Sequence, residues 1–368
     1  MIFIKAERRG ITVKLDIKTK NECRFDALSL GEIMLRLDPG DMRIRNTRSF
    51  RVWEGGGEYN VIKALSKCFG MNTAAVTALA DNEVGRLIED FMLQGGVDTS
   101  LVKWCEYDGI GKNVRNGLNF TEKGFGVRGS FGVYDRGNTA ASKLDIGDID
   151  WDYIFGELGV RWFHTGGVFA SLSLSTADVV LEAVKAAKKY GTIVSYDFNY
   201  RPSLWKNIGG KERASEINKK IVPYVDVLIG GKDDLVDLLG VQARDRNNIA
   251  SVFEETSKAY PNLKVIVSTV RKVKSANVND WSAVCLSDGE MYEGLKMENL
   301  EIYDRIGGGD AFASGLIYGL MTLGDAKKAL DYGVAHGALA MTTPGDTTMA
   351  SLAEVEAIMN GADAAVRR

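Results

Sequence analysis

The chain has little from which to build the commonest metal and nucleophile centres. Its 368 residues include four cysteines, Cys23, Cys68, Cys105 and Cys285. They lie far apart and never fall into a CxxC spacing, which excludes a zinc knuckle and a disulfide framework. The thiols are expected to be reduced and mostly buried. Histidine is scarcer still, with only His164 and His336. That removes His-rich metal sites and weakens any Ser-His-Asp or Cys-His arrangement, so acid–base chemistry falls to carboxylates. A formal charge of −3 provides no basic field for nucleic acid. No apolar run reaches the length of a membrane span, and "MIFI" is too short for a signal-peptide core. A cytoplasmic protein with neither a nucleic-acid nor a membrane partner is expected. The basic start, with Lys5, Arg8, Arg9 and Lys14, reads as a solvated tail. Internal repeats and low-complexity linkers are also missing. No GxxxxGK[ST] occurs, which excludes a Walker-type phosphate loop, and no GxGxxG follows the first strand.

What is present is a composition, 45% hydrophobic and 26% charged, that can bury a large core and stay in solution. Short β-branched runs recur: "DALSLGEIML" from Asp26, "AAVTALA" from Ala74, "RWFHTGG" from Arg161, "GTIVSYDFN" from Gly191, "VDVLIGG" from Val225 and "KVIVSTV" from Lys264. They suit strands buried on both faces. Helical patterns lie between them. In "STADVVLEAVKAAKKYG", Val179, Val180, Ala183, Val184 and Ala187 share a face, Glu182, Lys185 and Lys189 turn outward, and Gly191 supplies the stop. The alternation implies an α/β fold with a mainly parallel sheet, helices on both sides and a crevice beyond the carboxyl ends of the strands. Two stretches break the rhythm, Arg43 to Trp53 and Gly111 to Arg136. They read as antiparallel strands projecting from the sheet, a lid over the crevice.

"DRIGGGDAFASG", Asp304 to Gly315, carries the clearest chemical signal. Gly307, Gly308 and Gly309 allow a tight turn and close approach to a ligand, and the next helix begins with unpaired N–H groups and a positive dipole end. This describes an anion site. An ordinary glycine turn with Asp310 complementing the helix dipole is an equal reading of these residues alone. The helix is apolar nearly all round and must be buried, with Gly315 and Gly319 permitting close packing.

These residues resemble the ribokinase-like (PfkB) carbohydrate kinases. The D-[TR]-x-G-[AG]-G-D-[AS]-F signature is matched by Asp304, Arg305, Gly307, Gly308, Gly309, Asp310, Ala311 and Phe312. The GG-x-x-x-N signature is matched in "GGGEYN" by Gly55, Gly56 and Asn60. Within the family the chain looks like the 2-keto-3-deoxygluconate kinases, through "GEIMLRL" at Gly31, "VYDRGNTAAS" at Val133, "DFNYRPSLW" at Asp197, Arg305 and "TTPGD" at Thr342.

The resemblance implies a ribokinase-like three-layer α/β/α domain over residues 26–368, behind an extension of residues 1–25, with lid segments near 40–54 and 102–137. It also implies transfer of the γ-phosphate of ATP, with Mg2+, to the terminal hydroxyl of 2-keto-3-deoxygluconate. A neutral-sugar kinase such as a fructokinase, or a catalytically weak binding relative, is the alternative. By the same resemblance Asp310 is the base and Gly307, Gly308 and Gly309 hold the phosphoryl oxygens. Gly56, Asn60, Asn119, Tyr134, Arg136 and Arg201 meet the sugar acid, while Asn199, Thr269, Arg271 and His336 meet the nucleotide. No metal is bound directly, although Asp234 can act through water, and the lid pairs the chain into a homo-oligomer. Asn119 replaces a family Tyr, Gly231 replaces an Asn of the magnesium-linked N-x-x-E, and Gly57 and Tyr59 stand where small alanines are common. His164 is read as a packing residue, and Trp53 and Trp104 as core or lid anchors.

Overall fold

The computed structural model describes residues 13–361. Its central sheet runs, edge to edge, through Glu290–Glu293, Val278–Ser287, Val265–Ser275, Val227–Ile229, Ile193–Asp197, Val160–Gly166, Phe25–Leu30, Thr73–Ala80 and Val97–Asp98. Every pairing from Val265–Ser275 to Val97–Asp98 is parallel, and the Val278–Ser287 edge is antiparallel. Residue alternation separates two cores. Leu228 and Ile266 enter one with Val179, Val180, Ala183 and Val184; Val227, Ile229, Val265 and Val267 enter the other with Phe312, Leu316 and Ala335. Because both faces are covered, the inner strands read as continuous apolar runs rather than as alternation. This is the three-layer α/β/α arrangement.

Helix Leu174–Lys189 forms over the expected periodic stretch. Ser173 caps its N-terminus by accepting from Thr176 N, and the five expected apolar residues are buried. Helix Gly308–Leu323 packs against Ala326–Ala340. A Cβ on Gly315 would stand 2.5 Å from Tyr332 O, and one on Gly319 would stand 2.4 Å from Ala329 Cα, so only glycine permits this approach.

A second, four-stranded sheet contains Arg51–Gly55, Met34–Asp38, Gly117–Glu122 and Phe131–Asp135, in that order. Several expectations change here. "DALSLGEIML" is two strands, Phe25–Leu30 in the central sheet and Met34–Asp38 in the small one. A Cβ on Gly31 would meet Glu58 Cβ at 2.6 Å, so the chain crosses between sheets against the buried helix start. The small sheet is mixed, since Met34–Asp38 pairs in parallel with Gly117–Glu122. Of Arg43 to Trp53 only the stretch from Arg51 is strand, the first part of Arg51–Gly55, while Ile44–Asn46 is a single 3₁₀ turn. Val102–Cys105, expected in the second lid segment, instead pairs with Thr73–Ala80, and Trp104 lies there under the Arg86 guanidinium.

The basic start falls mostly on residues 1–12, outside the described residues. Beyond it the chain is not a solvated tail: Val13 is buried in the second core and its N–H donates to Gly324 O at 2.6 Å. Cys68 and Cys285 are buried, Cys23 and Cys105 partly so, and all four are free. Among the described residues no helix is long and apolar enough to cross a membrane.

Candidate active site

A cleft of about 920 Å³ opens where the parallel strands end, between the central sheet and the small one, as expected for an open α/β sheet. Its floor is the glycine turn. Gly307 is the N-cap of helix Gly308–Leu323 and holds φ +78, a region costly for any other residue. A Cβ there would also lie 1.9 Å from Asp346 O. Gly308 is buried against Met341, whereas Gly309 is exposed with nothing within 4 Å of its would-be Cβ. The turn therefore leaves an open cradle over the first N–H groups of the helix, a place for an anion. Gly307 and Gly309 line the cleft and Gly308 does not.

Asp310 stands in the first turn of that helix. Its Oδ2 accepts from Asn60 Nδ2 at 2.7 Å, and Asn60 Oδ1 accepts from Gly56 N at 3.2 Å. Asn60 thus joins the two motifs, with both ends of its amide engaged. Asp310 is pushed up to about 8, chiefly by burial, with Asn60 pulling downward and Asp197, Glu58 and Asp346 pushing upward. Burial likewise raises Glu58 to about 7 and Asp197 to about 6. Carboxyls packed together resist ionising together. An Asp310 that ionises near neutrality and opens to a cleft can remove a proton from a bound hydroxyl.

Gly56 is required by close packing, since a Cβ would lie 2.0 Å from Glu32 O. At Gly57 the would-be Cβ has room, 3.8 Å from Asp310 Oδ1, so that position opens directly above the carboxyl. Tyr59 lies elsewhere, buried with Ile33, Leu35 and Ile62.

The wall formed by the small sheet brings together Asn119, Tyr134 and Arg136. Asn119 and Tyr134 are cross-strand partners. Asn119 Oδ1 accepts from Thr121 Oγ1 at 2.9 Å. Arg136 is ion-paired to buried Glu32 at 2.5 Å, so it does not offer an uncompensated charge. Arg201 is exposed, and its one hydrogen-bond partner among the described residues is Tyr200 O, at 3.4 Å.

Asn199, Thr269, Arg271, Gly231 and Asp234 line the same cleft. Asn199 adopts φ 35, a conformation uncommon outside glycine and concentrated at functional sites. Asp234 Oδ2 accepts from Gly231 N at 3.0 Å, and burial raises its pKa. No cluster of three or more His, Cys, Asp or Glu able to hold a metal occurs among the described residues. His336 is not at the cleft. It is fully buried, its Nδ1 lies 2.9 Å from Ser314 Oγ and 2.8 Å from Ala311 O, and burial lowers it to about 4. Its helix packs so tightly through Gly315 and Gly319 that this side chain is directed into the core. His164 is buried beside Ser195 Oγ, the expected packing role.

One constellation escaped sequence reasoning. Arg36, 1% exposed, donates through Nη1 to Asp346 at 2.5 Å and through Nη2 to Asp304 at 2.6 Å, with Asp38 at 3.7 Å. Burial opposes its charge, but Asp346 and Asp304 hold it protonated. It ties the small sheet to both loops that shape the glycine turn. Asp304 and "TTPGD" belong to recognisable motifs, but nothing in local spacing pairs them with an arginine 268 and 310 residues earlier. Glu58 and Asp197 were missed for the same reason.

Fold and cleft together define an α/β enzyme with a helix-terminus anion site beside a half-buried carboxyl. Residues 25–352 match the pfkB family of carbohydrate kinases. The chain belongs to that family, a sugar-phosphorylating class of enzymes that use ATP. It is 35% identical to the structure of 2-dehydro-3-deoxygluconokinase from Thermotoga maritima, with a TM-score of 0.83 over 91% of this chain and 99% of that one. It is 27% identical to a 5-dehydro-2-deoxygluconokinase of Clostridium perfringens over 86% of this chain and 87% of the relative. It is also 27% identical to a 2-dehydro-3-deoxygalactonokinase of Haloferax volcanii over 93% and 99%.

Proposed function

We propose that this kinase transfers the γ-phosphate of ATP to the terminal hydroxyl of a six-carbon deoxy-keto sugar acid, 2-keto-3-deoxygluconate. The observation that carries the reading is the Asp310 carboxyl, held by Asn60 in a cleft that the glycine turn and the exposed Arg201 also line. Asp310 accepts the hydroxyl proton as the sugar oxygen bonds to the γ-phosphorus, the bond to the β-phosphate oxygen breaks, and ADP leaves. The amides at the start of helix Gly308–Leu323 meet the charge on the transferring group. The three relatives are named for kinases of dehydro-deoxy sugar acids, which supports an acid over a neutral sugar.

The donor set fits a magnesium ion that arrives on the nucleotide, with Asp234 close enough in the cleft to act through water. Such an ion would supply charge neutralisation to the phosphates. Leu37, Val52, Phe120 and Val133 form one cross-strand row of the small sheet. Val52 and Val133 are exposed there. We assign this outward stripe to a second copy of the chain.

The test is kcat/KM for 2-keto-3-deoxygluconate, 5-keto-2-deoxygluconate and fructose in wild type, Arg136→Ala and Arg201→Ala. A charge-assisted hydrogen bond contributes roughly 1.5–3 kcal/mol, so losing Arg201 should cost about 10- to 100-fold on the acids and much less on fructose. Arg136→Ala also strands Glu32, so Arg201→Ala is the cleaner arm. Preference for fructose in wild type, or equal losses on acid and neutral sugars, refutes the acid-sugar reading. The 5-keto acid is the second reading, carried by the Clostridium relative.

A further inference from the structure

Four of the cleft's cations or near neighbours divide into two kinds. Arg36 and Arg136 are ion-paired inside the protein. Arg271 and Arg305 have no carboxylate in ion-pair contact among the described residues. Arg305 sits two residues before the glycine turn and reaches the cleft. Its Nη2 is 3.0 Å from the side-chain oxygen of Asn279 when that amide is turned so its nitrogen donates to Ser275 O and Val278 O, which anchors one edge of the guanidinium. Its Nε is buried without an acceptor. Arg271 lies near enough that burial, Arg305 and Arg201 together depress its pKa. Cations crowded without counterions repel one another, and their arrangement costs free energy until an anion arrives.

We propose that Arg305 and Arg271 form a clamp for the polyphosphate of the nucleotide, with Arg305 a phosphate-binding residue. The inference rests on the kinase reading and adds a residue to it. Position selects phosphate over the sugar's carboxylate. Arg305 lies two residues before Gly307, and Arg271 two residues after Thr269 on strand Val265–Ser275. Asn119, Tyr134 and Arg136 belong instead to the small-sheet wall, and Arg201 remains available for the carboxylate. A planar guanidinium presents donors in a fork that matches two phosphate oxygens. Because the chain has no Walker-type loop, it also lacks that loop's lysine, and the clamp supplies the positive charge that such a lysine would bring to the phosphates.

The test uses the full chain, with Arg305→Gln, Arg305→Lys and Arg271→Gln, each checked for an unchanged melting temperature. MgATP affinity is measured by calorimetry without sugar. Inorganic tripolyphosphate, which carries phosphates without base or ribose, is assayed as a competitor of MgATP. In Arg305→Gln the MgATP dissociation constant and the tripolyphosphate inhibition constant should both rise about 10- to 100-fold, the KM for the sugar should change less than about twofold, and Arg305→Lys should recover part of the loss. Unchanged MgATP affinity, or a loss confined to the sugar KM, overturns the clamp while leaving the kinase intact. A wild type that binds no MgATP overturns the kinase reading itself, and the clamp with it.

Discussion

Removing Arg36 tests whether the two sheets are held by charge. Arg36→Met keeps much of the side chain's length and leaves Asp38, Asp304 and Asp346 facing one another with no cation between them. Breaking a buried pair by deleting one partner costs roughly 3–5 kcal/mol, because the survivor's desolvation is no longer offset. At about 2.1 cal/mol/K per residue, 368 residues give an unfolding entropy near 0.8 kcal/mol/K, so the melting temperature should fall by roughly 4–6 °C at pH 8. The pH dependence follows from the sign of the shift. Asp346 is already raised to about 6 and Asp304 is raised as well, both by burial against the lowering pull of Arg36. Without the guanidinium both values climb further. A carboxyl whose folded-state pKa is raised keeps its full stability below its unfolded value and loses it as pH rises through the folded value. The deficit should therefore be largest at pH 8 and shrink toward pH 5, where the carboxyls take up protons. Calorimetric melts at both pH values decide this. No loss at pH 8, or the same loss at both, would refute charge compensation as the role of Arg36.

Asp310→Asn should lower turnover by on the order of 100-fold or more while MgATP binding changes little, measured by ADP release and calorimetry; turnover within a fewfold of wild type removes Asp310 from the chemistry. In wild type the proton acceptor must be ionised, so kcat/KM should rise about tenfold per pH unit below a bend near 8 and level above it. Val133→Glu places a charge in the apolar stripe of the small sheet and should convert an oligomer to monomers in sedimentation velocity; a wild type already monomeric at micromolar concentration refutes the lid interface.

The sequence by itself determined what depends on neighbours along the chain. Helix Leu174–Lys189 follows from a 3.6-residue period with a Ser cap, and the buried strands follow from β-branched runs. The glycine turn follows from Gly307, which alone of the three glycines must adopt φ +78 before the helix begins at Gly308. Distance in sequence hid the rest. Gly31 looks like the middle of one strand, and only packing against Glu58 shows the chain changing sheets there. His336 has the polarity of a ligand-binding residue, but helix packing aims it at Ser314. Arg136 reads as a free cation until Glu32 is found beside it. Arg36 acquires its role only when Asp304 and Asp346 fold onto it. Local backbone preference acts over a few residues, whereas burial and charge pairing depend on which distant groups share the same low-dielectric space, and that is decided by tertiary structure alone.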